Sequence, residues 1–420
     1  MATILLKDIS LNGSQSDILI SDGLISKISK AGQADQVPGA EIMDCTGKAA
    51  FPGFINMHTH SGMTMMRGVH EDTALHDWLS KIWEMESKID GEYIYRASKV
   101  AALEMIKTGT TAFYDQYWFS RESRKAALEL GIQPCLTYVV LDRFDADAAA
   151  FQKDECEQYY QLSKSWDGET PFGISIHSVY TVSEPMILWA TEYARKRKLR
   201  LHIHVSETRK EVEDCKAAHG GLSPVEYLDK LGVLGPDVIA AHSLWLSEND
   251  IEILGRHHVN CVHNINSNLK LSSGYMFKYQ ELKEAGANIC IGTDGCASSN
   301  NLDILEAMKT SALIQKGWRG DPKAWPLEEL AAAATVNGAK ALGLNTGVIE
   351  VGKRADILIV DTDNTFFLSP GSFLANFIYS AHSDCISTVI CGGRVVMKDR
   401  IVPGEKDILN DARSILEKYN

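Results

Sequence analysis

Apolar and polar residues alternate along this chain with two different rhythms, and the change of rhythm marks out its parts. Over residues 1 to about 50 the runs are short and β-like, at 3–6, 16–20 and 24–29, with Asp22-Gly23 as a hairpin turn between the last two. Three such strands bury too little to stand alone. Their partner appears at the far end, where residues 347–352 lead into the apolar run 355–361. A further segment, 386–396, is broken by Gly392-Gly393 as in another hairpin. The expectation is a small β-sandwich domain built from both termini, residues 1–52 and 347–420, the second part ending in a helix. Residues 53–346 are inserted between them.

In the inserted stretch, short β-rich runs alternate with longer segments of helical period. The predicted strands are 54–58, 111–115, 133–140, 172–179, 200–206, 238–242, 260–265 and 288–293. Helical segments such as 92–107, 120–130, 184–198, 223–231 and 247–256 lie between them. Eight β/α units in a little under ~300 residues fit an α/β fold of the (β/α)8 TIM barrel type. A doubly wound open sheet is the competing arrangement. It is disfavoured because no glycine-rich phosphate turn follows the first strand.

Composition narrows the partners. A net charge of −13 argues against a nucleic-acid backbone or an anionic membrane surface. No apolar run reaches ~18 residues, so no membrane span is expected. The N-terminal MATILLKDISLNGSQ lacks the basic and long apolar regions of a signal peptide. Nine cysteines without a CxxC pair fit a reducing compartment, and a cytoplasmic protein is expected. A small-molecule substrate is the expected partner.

Candidate chemistry gathers where the barrel strands end. Phe51 to Gly68 reads FPGFINMHTHSGMTMMRG, and a period of two puts His58 and His60 on one face. His177 lies in the fourth strand. The fifth reads Leu201-His202-Ile203-His204-Val205-Ser206-Glu207. The sixth ends in Ala240-Ala241-His242 and the eighth in Gly292-Thr293-Asp294-Gly295. Each of these alone is more often a packed or solvated residue than a site. Their recurrence at five strand ends points to a metal centre, because buried ionisable groups need partners. His58, His60, His204 and Asp294 offer three imidazoles and one carboxylate, with a position left for water as in catalytic zinc sites. Such a metal lowers the pKa of water to around 7. Asp294 could then accept the water proton, and Glu207, three residues past His204, could carry a proton to the substrate. His242 could hydrogen-bond the attacking water or polarise the reacting carbon. His202 shares its strand face with His204, so spacing leaves the choice of ligand open. Nearness to Glu207 favours His204, and a buried, hydrogen-bonded role suits His202. The fourth strand has no lysine of the kind that bridges two metals in binuclear barrels, so one divalent ion is expected. The donor set suits Zn2+, and also Fe2+ or Mn2+.

These segments resemble the amidohydrolase superfamily, most closely its branch of 5-methylthioadenosine/S-adenosylhomocysteine deaminases and related chlorohydrolases. The resemblance runs through PGFINMHTH, DWLSKIWEMES, GTTAFYDQY, HIHVSET, AAHSLWL, SNLKLSSG, GTDGCASSNN and GVIEVGKRADILIVD, nearly the whole chain. It implies the barrel-plus-sandwich fold, a metal set of His58, His60, His204 and Asp294, and Glu207 with His242 as the proton-handling pair. It also implies substrate contacts from Trp78, Glu86, His177 and Ser298. Trp78 would pack on a base or sugar and Glu86 would hold ribose hydroxyls. Homo-oligomers are common among such relatives, so one is expected here.

The sequence departs from the branch in places. Tyr138 stands where relatives that bind the amino-acid tail of S-adenosylhomocysteine carry an arginine, which removes a bidentate carboxylate partner. Arg143 lies a few residues on. Ile265 and Glu84 replace common prolines. The implied activity is hydrolytic deamination of an adenine nucleoside with release of ammonia. Its competitors are removal of an amine or halide from a guanine, pterin, cytosine or triazine ring, and a non-catalytic metal-binding barrel. The last lacks any use for Glu207 and His242.

Overall fold

A computed structural model describes residues 3–34, 37–73, 75–166 and 170–419. The N-terminal alternation forms three antiparallel strands, β1 (Ile4–Leu11), β2 (Ser14–Ser21) and β3 (Leu24–Lys30). They join through Asn12-Gly13 and Asp22-Gly23, whose four residues all have positive φ, as type I′ hairpin turns require. β4 (Glu41–Asp44) and β5 (Lys48–Pro52) run parallel to β1.

At Gly53 the chain leaves this sheet for the barrel. A Cβ there would sit 2.2 Å from Thr111 Oγ1, so only glycine allows the crossing. The barrel strands follow as β6 (Phe54–Thr59), β7 (Thr110–Asp115), β8 (Gln133–Val140), β9 (Phe172–Ile176), β10 (Arg200–Val205), β11 (Val238–His242), β12 (Asn260–His263) and β13 (Asn288–Ile291). Each pairs in parallel with the next. Thr293 N and Asp294 N donate to His58 O at 3.1 and 2.9 Å, closing the ring at its C-terminal end. This is the TIM barrel expected from the sequence, with the active end where barrel enzymes keep it.

The chain then returns to the first sheet through β14 (Ile357–Asp361), β15 (Ile386–Cys391) and β16 (Arg394–Met397). The sheet order is β16-β15-β14-β5-β1-β2-β3, so strands from both termini share one sheet. Ile4, Leu6, Ile9, Ile18, Ile20 and Ile25 bury one face with Ile357, Ile359 and Ile390. The terminal helix Glu405–Tyr419 is tied to the barrel helix Gly91–Lys107 by Lys107 with Glu405 and by Arg96 with Asp411.

The structure shifts several predicted boundaries. β9 stops at Ile176 rather than 179. β12 stops at His263 because Ile265 opens the helix Ile265–Lys270. Helices outside the expected segments include α1 (Leu75–Glu86), which lines the barrel mouth, Ala146–Ser163, Arg209–Ala218 and Ile304–Arg319. Among the described residues, no helix is long and apolar enough to cross a membrane.

Candidate metal centre and active site

The C-terminal ends of β6 and β10, which carry His58 and His204, and the residues just past β6 and β13, which include His60 and Asp294, bring these four together. The ligand atoms of His58, His60 and His204 lie within 4.8 Å of one another, and so do those of His58, His242 and Asp294. On β10, Leu201, Ile203 and Val205 join the cluster shared with the surrounding helices. His202 and His204 alternate with them and both pack against His58, the first face to face and the second edge-on, with ring centroids at 4.9 and 5.0 Å. His60 Nδ1 donates to Gln116 O at 2.6 Å and His204 Nδ1 to His177 O at 2.8 Å. Both rings therefore turn Nε2 inward, the orientation that a backbone carbonyl imposes on metal-binding histidines. His202 is held differently, by a 3.1 Å contact of Nδ1 with Ser175 Oγ, and it is not a member of either group.

The donors fit a divalent cation. His58 is fully buried, yet neither ring nitrogen has a hydrogen-bond partner. His58 and His60 Nε2 sit 3.4 and 3.1 Å from Asp294 Oδ1. Burial pushes His58 down to about 4, so the ring is neutral and its lone pair available. Burial opposes ionisation of Asp294, but the contacts with His58 and His60 outweigh it and hold the carboxyl well below its usual range. Ser267 Oγ donates to Asp294 Oδ2 at 2.6 Å and Gly295 N to Oδ1 at 2.8 Å, fixing the carboxylate. Burial holds His58 and His204 neutral, whereas the Asp294 contact draws His60 up against its burial, so a metal bound here would displace the His60 proton.

Beside this cluster stands Glu207, buried, with Oε2 3.7 Å from His242 Nε2. Burial, reinforced by the charge of Asp294, pushes Glu207 up to about 8. Both causes favour the protonated acid near neutral pH. Ser273 Oγ donates to its Oε1 at 3.2 Å, and Asn268 Nδ2 donates to His242 Nδ1 at 2.9 Å. The loop that carries Glu207 is pinned by Glu211, whose two carboxylate oxygens accept from Ser206 N and Glu207 N at 2.8 and 2.7 Å. On the other side, Ser206 O accepts from Leu244 N and Trp245 N, in the loop after His242. Ser206, His242 and Asp294 all have positive φ, at 52°, 72° and 64°. Left-handed backbone at such residues costs of order 1–3 kcal/mol each and persists where surrounding bonds enforce it.

A cavity with about 60 Å³ of enclosed free space, widening into an open mouth, lies over these groups. α1 forms one wall through Leu75, Trp78, Leu79, Trp83 and Glu86, and His177, Glu207 and His242 form the other. Glu86 accepts from Tyr117 Oη at 2.7 Å, and burial pushes it up to about 7. Of the four expected substrate contacts, Trp78, Glu86 and His177 line the cavity. Ser298 is not in its wall, and its hydroxyl donates to Gly295 O at 2.9 Å. Tyr138 is also elsewhere. It faces the helix layer, and its hydroxyl donates to Glu155 Oε2 at 2.6 Å, while its neighbour Val139 lines the cavity. The reading of Tyr138 as the residue at an arginine's place in the pocket is thus corrected. Lining residues missed by the sequence reading include Trp83, Gln116, Tyr117, Trp118 and Tyr180. Arg143 stacks on Trp83, with its guanidinium 4.8 Å from the ring centroid.

Comparison with known proteins gives this geometry a family. The chain is 41% identical over 376 residues to 5'-deoxyadenosine deaminase of Methanoregula boonei, covering 88% of this chain and 84% of that protein. It is 40% identical over 395 residues to 5-methylthioadenosine/S-adenosylhomocysteine deaminase 1 of Archaeoglobus fulgidus, covering 94% and 92%. A crystal structure of an adenosine deaminase from Xanthomonas campestris with bound zinc superposes with a TM-score of 0.92 at 28% identity, covering 100% of this chain and 98% of that one. Residues 49–396 match the amidohydrolase family model, and the chain belongs to the amidohydrolase family.

Proposed function

We propose that this chain is a metal-dependent aminohydrolase that converts an adenine nucleoside, such as adenosine, 5'-deoxyadenosine or 5'-methylthioadenosine, to its hypoxanthine form and ammonia. The observation that carries the reading is the buried Glu207 carboxyl set beside the cluster of His58, His60, His204 and Asp294, with its Oε2 3.7 Å from His242 Nε2. A closed structural metal site has no use for a protonated carboxyl at its edge. The names of the relatives support the adenine nucleoside.

His58, His60, His204 and Asp294 would hold one divalent ion, for which zinc is proposed. When bound there it supplies the Lewis acidity that makes water ionisable near neutral pH. Glu207 donates its proton to N1 of the adenine, which makes C6 electrophilic. As the water oxygen adds to C6, Asp294 takes the water's proton, and His242 hydrogen-bonds that oxygen. Asp294 then returns the proton to the exocyclic amine, the C6–N bond breaks, and ammonia leaves. The Glu207 carboxylate recovers a proton from the new hydroxyl as C6=O forms, so both side chains return to their starting states. Acid and base roles fall to two carboxyls whose surroundings push them in opposite directions.

Glu86 is placed to accept from ribose hydroxyls, Trp78 to pack on the nucleoside, and His177 to contact the ring. Nine buried thiols with no disulfide among them support a cytoplasmic setting. The test is ammonia release by the zinc-loaded protein from adenosine, 5'-deoxyadenosine, 5'-methylthioadenosine, S-adenosylhomocysteine, guanine and cytosine. Release from the adenine nucleosides is expected. Release only from guanine or cytosine would reassign the substrate.

A further inference from the structure

Gln116 follows the last residue of β7 and is 2% exposed in the cavity wall. Its backbone is fully engaged, with N donating to Thr59 O and the carbonyl accepting from His60. Its side chain is not. Neither Oε1 nor Nε2 has a hydrogen-bond partner, although both are buried. Folded proteins rarely leave an amide buried and unpaired at both ends, and a ligand that pairs it relieves that cost.

Position tells which part of the ligand this is. Gln116 sits between two fixed points: His60 on one side, bonded to its carbonyl, and Tyr117 on the other, bonded to Glu86. On the function proposed above, C6 lies at the metal end and the ribose at Glu86. Adenine joins C6 to the sugar by two edges, N1–C2–N3 and amine–N7–C8. Glu207, on the loop after β10, takes N1. The amine–N7 edge therefore faces away from Glu207, toward the wall that β7 supplies, three strands round the barrel. That edge offers an N–H donor beside an acceptor nitrogen, the pattern that a glutamine amide matches with two parallel bonds.

We propose that Gln116 is a specificity-determining substrate contact that reads the 6-amino/N7 edge of adenine, Nε2–H donating to N7 and Oε1 accepting from the amine. The contact also separates substrate from product. After deamination the edge carries two acceptors, the 6-oxo group and N7, and Oε1 loses its partner.

The inference rests on the adenine-nucleoside reading, and the experiment separates the two. Ammonia release is measured from adenosine and from 7-deazaadenosine, which replaces N7 by CH, with wild type and Gln116→Met, both zinc-loaded. Any intrinsic difference in ring reactivity cancels in the ratio of ratios. The preference of kcat/KM for adenosine over the deaza compound is expected to be at least about tenfold larger in wild type than in the variant, because a site built to hydrogen-bond a group rejects the analogue lacking it. Gln116→Glu, which removes the donor and keeps an acceptor, must lower the same preference, and it serves if the Met variant does not fold. Adenosine turnover with preferences equal within threefold would overturn the proposal alone. No ammonia from either compound with wild type would overturn the nucleoside reading and the proposal with it.

Discussion

Replacing Glu207 by glutamine isolates the proton transfer from everything else in the site. The variant keeps the side-chain shape and an oxygen to accept from Ser273, now 3.2 Å from Oε1. It keeps the Ser206 and Glu207 amide bonds to Glu211, since those are backbone. It loses only the acidic proton. With Glu207 pushed up to about 8, the protonated acid is favoured at pH 7. General acid catalysis contributes ~10²–10⁴-fold. The expected loss in kcat is therefore of that size, equivalent to ~3–5 kcal/mol of barrier. KM should move little, and bound metal should remain near one ion per chain. The wild-type rate should also fall as pH rises through about 8, because the protonated form is present below that value and lost above it. The assay is ammonia release against pH, with metal content measured on the same samples. A Glu207→Gln enzyme with kcat within about tenfold of wild type and metal bound would refute the assignment.

Three other outcomes follow from the geometry. His204→Asn should lose metal under dialysis, while His202→Asn, which removes a ring bonded to Ser175, should retain it; metal analysis of the two decides which histidine is the ligand. Glu86→Ala, which removes the acceptor, should raise KM for nucleosides by up to roughly tenfold, the size of a lost hydrogen bond, and leave turnover of a sugar-free ring unchanged, as steady-state kinetics on both would report. Tyr138→Phe removes a hydroxyl bonded to Glu155 outside the cavity, so the kcat/KM ratio between 5'-methylthioadenosine and S-adenosylhomocysteine should stay within about twofold of wild type; a larger change would put Tyr138 back in the pocket.

What could be read in the sequence was what local rhythm records. The eight barrel strands are buried on both faces and stand out as apolar runs between amphipathic helices. The ionisable residues at their ends stand out because such residues are rare beside buried strands. The same burial hides which face a strand residue takes. All of β8 is buried, so nothing in its pattern told Tyr138 from Val139, and only the barrel's closure shows Val139 in the cavity and Tyr138 among the helices. The choice between His202 and His204 was undecidable by spacing for a related reason, since both share a face. Depth along the strand and the His177 carbonyl separate them. The helix Ala146–Ser163 went unseen because Cys156 is its one fully buried side chain, so its apolar stripe is faint. Gln116 carried no signal at all. A glutamine after a strand is ordinary until its amide is found buried in the cavity wall without a partner.

The central claim is that water replaces the amino group at C6 of an adenine nucleoside at this metal centre. It is tested most directly by incubating the zinc-loaded protein with 5'-methylthioadenosine in oxygen-18 water and reading both products. The account predicts one ammonia per nucleoside consumed and a hypoxanthine nucleoside carrying the heavy oxygen on C6. Metal-replete, folded protein that consumes none of the nucleoside, or that yields free adenine with the amino group intact, would contradict it.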